Sequence, residues 1–102
     1  MARTAGREAA DAQLLVLISL APEPKHGHAI MLDIAAFSGH RLGPGTLYGA
    51  IERLESAGLI APEPRVGRRL PYRLTETGRA FLARRLATIE ALSRVGMQRV
   101  AR

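Results

Sequence analysis

Three guanidiniums crowd the segment Arg65-Val66-Gly67-Arg68-Arg69, and the nearest acid along the chain is Glu63. Like charges held on one short turn repel each other in the isolated chain. Arginine also forms bidentate hydrogen bonds to phosphate and to the guanine edge, so such a cluster suits a polyanion. A second group lies upstream. Arg41 precedes Gly43-Pro44-Gly45-Thr46, and Tyr48 and Arg53 follow. Thr46 is expected to cap a helix there, its hydroxyl accepting from an unpaired first-turn amide. A bond from Thr46 to phosphate or base would be an addition to that role. Arg53 falls off the apolar face formed by Leu47, Ile51 and Leu54. It is either a phosphate or base contact, or half of an exposed pair with Glu52 or Glu55 worth only ~0–1 kcal/mol. Arg41 is a phosphate contact or an ordinary solvated loop charge. For Tyr48 the plain alternative to a contact is a core ring with its hydroxyl at the edge.

Other chemistries find little support. The chain has no cysteine, which excludes disulfides, thiolate metal sites and thiol catalysis. Ser19, Ser38, Ser56 and Ser93 lack a base and an orienting partner, and no carboxylate pair lies in a pocket-like context, so no enzyme is expected. His26, His28 and His40 invite a metal reading. The His26–His28 spacing is poor for one helical face, however, and carboxylates are sparse nearby. Met31 and Met97 read as core or interface fillers rather than parts of a cofactor box. No cofactor or metal is expected.

The chain carries 15 Lys+Arg against 9 Asp+Glu in 102 residues, a net charge of +6, and Lys25 is its single lysine. Through Pro64, acids outnumber bases by seven to five; from Arg65 onward, bases outnumber acids by ten to two. That asymmetry points to nucleic acid or an anionic membrane surface, or else to a solvated helix face in an arginine-rich proteome. Two Tyr, two Phe and no Trp leave little surface for base stacking. A chain of this length forms one domain and buries about two-thirds of its unfolded surface, enough for one modest core. Leu14 to Ile18 after Arg3 and Arg7 superficially resembles an export signal. Glu8, Asp11 and Gln13 interrupt it, and Pro22 and Glu23 follow Ala21. No stretch approaches the roughly 18 apolar residues that span a bilayer, so a cytoplasmic location with no membrane partner is expected.

The elements that would position the arginines follow from periodicity and punctuation. A first helix is predicted from Glu8 to Ala21, stopped by Pro22 and Pro24. From Leu14 to Leu20 it is apolar on almost every side, so it must be buried all round, in a central position or against a second subunit. A second helix runs from His26 or Gly27 to Phe37, with Ile30, Ile34 and Phe37 on one face. A third opens at Thr46 and stops at Gly58. Leu59-Ile60 begins a strand whose Pro62 and Pro64 suit only an edge, and Leu70, Tyr72 and Leu74 share one face of its return. Thr75 then caps a long last helix, in which Leu82, Leu86, Ile89, Leu92, Met97 and Val100 form an apolar stripe broadened by Phe81. The predicted fold is mainly α with a small β-hairpin. It is a winged helix-turn-helix over residues 8–75 and a long C-terminal dimerisation helix over 76–102, in one compact domain. Such a body can lay its third helix in the major groove and its wing on the backbone or minor groove.

Gly45-Thr46-Leu47-Tyr48, Arg53-Leu54-Glu55, Gly58-Leu59-Ile60, Tyr72-Arg73-Leu74-Thr75-Glu76 and Gly78-Arg79, with His26-Gly27 upstream, resemble the PadR family of transcriptional regulators. The likeness runs from about Leu14 to Leu86. It implies a sequence-specific regulator of double-stranded DNA, a homodimeric repressor on a pseudo-palindromic operator. DNA contact through the Tyr48 hydroxyl is implied, beside Arg41, Thr46, Arg53, Arg65, Arg68 and Arg69. It further implies pairing of the first and last helices, through Leu14, Leu17, Ile18, Leu86, Ile89 and Leu92, and a small aromatic or lipophilic effector near that seam. Effector-independent regulation stays open. There are departures: His28 stands where the family commonly has Tyr, Gly49 where Pro is common, and the wing tip is short. With one helix after the wing, the chain is similar to the short subclass without a separate C-terminal effector domain. The alternative is a winged-helix interaction or assembly module that does not read DNA. Such a module has no need of Arg65, Arg68 and Arg69 beside an exposed helix start.

Overall fold

The computed structural model describes residues 2–102. Its elements are α1 (Ala2–Leu20), β1 (Lys25–His26), α2 (Gly27–Ser38), α3 (Pro44–Ser56), β2 (Ile60–Pro62), β3 (Pro71–Leu74) and α4 (Glu76–Val100). One core joins them. It holds Ala12, Val16, Leu17 and Leu20 of α1, Ile30 and Ile34 of α2, and Leu47, Ala50, Ile51 and Leu54 of α3. Ile60, Leu74 and Leu82 close it from the sheet and α4.

Helix α1 starts earlier than its apolar stretch predicts, at Ala2, and stops at Leu20 before the two prolines. Leu17 is only 1% exposed and packs in the core. Its expected place on a subunit interface is therefore corrected: its surface is already covered by its own chain. Leu14 and Ile18 are half-buried at the edge of the core. Ser19, the lone polar group of this stretch, is also buried. Its hydroxyl donates to Asp33 Oδ2 at 2.7 Å, and Lys25 Nζ donates to its carbonyl and lies 3.9 Å from the same carboxylate. A buried hydroxyl thus finds the partner that burial requires, and α1, β1 and α2 are fastened at one point. At the end of α1, Arg79 Nη2 of α4 donates to Ala21 O at 3.0 Å, a cation on a helix C-terminus.

Helix α2 is capped by His26, whose Nδ1 accepts from Ala29 N at 3.3 Å. Phe37 does not join Ile30 and Ile34 in the core; it is 45% exposed. The start of α3 also differs from expectation. Gly43 is the N-cap without a side-chain bond, Pro44 occupies the first turn, and Thr46 is an exposed residue inside the helix. Proline's missing N–H costs nothing there, and its fixed φ is already helical, so the helix begins ahead of the threonine. The other end follows the predicted stop. Gly58 takes φ +78°, Gly58 N donates to Glu55 O and Leu59 N to Leu54 O, each at 3.0 Å, the pairing of a Schellman motif.

The sheet has three antiparallel strands in the order β1-β3-β2, where a two-stranded hairpin is predicted. β1 adds Lys25 opposite Tyr72 and His26 opposite Pro71. Pro62 stays on an edge strand, where no ladder donor is needed on its open side. Thr75 closes the unit. Its hydroxyl accepts from Gly78 N at 2.9 Å as the cap of α4 and donates to Gly58 O at 2.7 Å. Only Gly78 and Leu82 of α4 are buried. Leu86 and Ile89 are partly uncovered, and Leu92, Val95, Met97 and Val100 lie open, so most of the predicted apolar stripe extends past the chain's own core.

Candidate nucleic-acid interface

The third strand decides the site's geometry. Pairing β1 to β3 carries the first residues of α2 to the foot of the wing. His26, Gly27 and His28 then face Tyr48 of α3, Tyr72 of β3, and Arg65, Arg68, Arg69 and Leu70 of the wing across a cleft of about 400 Å³. No carboxylate is among the described residues lining it.

The wing tip is tight. Val66 N donates to Arg69 O at 2.9 Å and Arg69 N to Val66 O at 3.0 Å, leaving Gly67-Arg68 as a two-residue loop. Gly67 supplies φ +63° and no described non-glycine residue has positive φ, which is the pattern of a II′ turn. Arg65 Nη1 donates to Arg68 O at 3.3 Å, so one guanidinium folds onto the turn, while Arg68 and Arg69 are exposed. Glu63 turns to Arg73, whose Nε lies 3.8 Å from its Oε2. Among the described residues Arg65, Arg68 and Arg69 make no ion pair. Tyr72 is half-buried, and burial pushes its phenol above the ordinary value. The Glu55 carboxylate and Tyr48 push the same way, and Arg65 opposes them. It is therefore a neutral hydrogen-bond donor at neutral pH.

The residues expected to touch DNA fall into three places. Tyr48, Arg65, Arg68 and Arg69 share the cleft. Tyr48 is 51% exposed, which sets aside the alternative of a core ring. Arg41 and Thr46 line a neighbouring hollow of about 180 Å³ at the leading end of α3, with Asp11, Leu15, His40 and Leu42. Arg53 is exposed further along α3, its Nη1 lying where a β carbon on Gly49 would be 3.4 Å away. It pairs with neither Glu52 nor Glu55 among the described residues. Sequence reasoning missed Tyr72 as a cleft residue and His26 as a cap. A two-residue strand has no readable period, and the His-Gly pair was the one signal near it.

Residues 14–84 match the Transcriptional regulator PadR-like family. The chain belongs to that family. Its members are transcription regulators rather than enzymes, and the four helices with a small antiparallel sheet agree with the PadR winged-helix fold. The PadR-like chain is 51% identical over 83 residues to a 37.1 kDa protein of transposon TN4556 in Streptomyces fradiae. The match covers 81% of this chain and 24% of that one, so the chain spans only a minor part of that relative. It is 39% identical over 85 residues to the transcriptional regulator Rv3488 of Mycobacterium tuberculosis, covering 80% and 78% of the two. Among solved structures, a PadR family transcription regulator from Clostridium difficile R20291 superposes with a TM-score of 0.79 at 26% identity, covering 85% of this chain and 95% of that one. No helix among the described residues is long and apolar enough to cross a membrane.

Proposed function

We propose that this PadR-like chain is a homodimeric, sequence-specific DNA-binding repressor acting in the cytoplasm. One observation carries the reading: Tyr48 of α3 and Arg65, Arg68 and Arg69 of the wing converge on a single cleft, with no carboxylate among the described residues lining it. The exposed first turns of α3 enter the major groove, and the wing arginines grip the adjacent backbone. Arg41 and Thr46 meet phosphate at the leading end of α3, and Arg53 reaches the backbone or a base edge farther along. Phosphate contacts supply most of the affinity, and the few base contacts of α3 supply sequence choice. Leu86, Ile89 and Leu92 of α4, with Leu14 and Ile18 at the rim of the core, take a second copy. The two-fold axis then sets two α3 helices about 34–36 Å apart, one turn of a pseudo-palindromic operator. A small lipophilic effector in the α4 seam would act by binding the DNA-competent and incompetent spacings with different affinity. Fluorescence anisotropy on a duplex from the promoter region of its own gene tests the reading. Affinity falls with a log–log salt slope of about −0.9 per phosphate neutralised. Salt-insensitive binding, or none, would contradict it.

A further inference from the structure

Gly27 opens α2 with an ordinary backbone: the described glycines of positive φ are Gly39, Gly58 and Gly67. Nothing in its conformation calls for glycine, and alanine is the better helix former. The reason is steric. A β carbon at residue 27 would fall 2.7 Å from Tyr48 Cζ and 2.9 Å from Cε1, and closer still to the hydroxyl. Carbon atoms in contact rest about 3.5–4.0 Å apart, so a methyl group there and the present ring position exclude each other. Gly27 is buried while Tyr48 remains half exposed, and both border the cleft of the wing arginines.

We propose that Gly27 is a positioning residue for DNA recognition: its missing side chain is the seat that holds the Tyr48 phenol in one orientation at the arginine cleft. This rests on the DNA-binding reading above. A tyrosine has only two side-chain torsions to fix, and a seated ring needs little further ordering on binding. Its hydroxyl is then already placed to donate to a phosphate oxygen. With a methyl group on residue 27, the ring must swing off α2 into the cleft, where it obstructs the duplex and its hydroxyl loses that place. Because Tyr48 is half exposed, the swing has room and the fold survives.

The test is a double-mutant cycle on operator affinity with Gly27→Ala, Tyr48→Leu and the pair, each checked by circular dichroism. Leucine lacks the ring atoms that a residue-27 methyl group would meet. Gly27→Ala weakens operator binding about tenfold, the size of one hydrogen bond to a charged acceptor. Tyr48→Leu costs about the same, and the pair differs from Tyr48→Leu by less than about twofold. In the unsubstituted free chain, nuclear Overhauser effects connect the Gly27 α protons to the Tyr48 ring. Losses that multiply, Gly27→Ala binding like the unsubstituted chain, missing Overhauser effects, or a Gly27→Ala chain that unfolds in both backgrounds would each overturn the seat. An unsubstituted chain that binds no DNA would instead sink the DNA reading itself, and the positioning role with it.

Discussion

Glu63 is the acid that sequence proximity offers to the wing arginines, yet it lies 3.8 Å from Arg73 on the flank of the hairpin. Arg65 finds a carbonyl, Arg68 O, and Arg68 and Arg69 are left exposed with no ion partner among the described residues. Their charge is therefore available to a polyanion. Replacing both Arg68 and Arg69 by alanine is expected to weaken cognate and unrelated duplexes alike, and to flatten the salt slope by about 0.9 for each phosphate no longer neutralised. Titrations on both duplexes check this; a loss of discrimination with affinity intact would show that these side chains read bases instead. Residue types were legible in the sequence at this scale, and residue partners were not. Thr46 has the chemistry of a cap, but Pro44 starts the helix ahead of it and leaves its hydroxyl exposed. Thr75 has the same chemistry without a proline before it, and it caps α4 as expected.

At the scale of elements, α1 and α4 carry the apolar surface that exceeds one small core, but they do not share it equally. The inner face of α1 is used up within the chain, with Leu17 in the core, whereas α4 beyond Leu82 leaves Ile89 partly uncovered and Leu92 67% exposed. Substituting aspartate separates the two. Leu17→Asp buries a charge without a partner, costs several kcal/mol and unfolds the chain. If α4 forms the proposed seam, Ile89→Asp is expected to leave a folded, monomeric chain that binds operator weakly. Light scattering with thermal melting checks both; a folded Leu17→Asp chain or a dimeric Ile89→Asp chain would contradict the division. The helices were legible because their apolar residues recur at helical spacing between Pro and Gly punctuation. β1 was not, since Lys25 and His26 are too few to show a period and are a strand only because β3 lies beside them.

Across the whole molecule, the charge excess after Arg65 divides between the wing and α4, and Arg79 is committed to the end of α1. The sequence could show the imbalance and the order of elements, which are local properties. It could not show that β1 folds the α2 start against the wing, because that pairing joins segments far apart in the chain and is made by tertiary packing. Yet that pairing is what sets His26, Gly27 and His28 opposite Tyr48 and the wing arginines in one cleft. On the proposed reading, the net charge of +6 would speed approach to DNA, while the spacing of two copies of α3 would select the site. Selection of bound sequences from a random pool of duplex DNA measures that spacing directly. An enriched, two-fold symmetric site with half-sites about 10 base pairs apart is the predicted result. A pool without enrichment, or one converging on a single asymmetric half-site, would contradict a paired, wing-assisted reader of DNA.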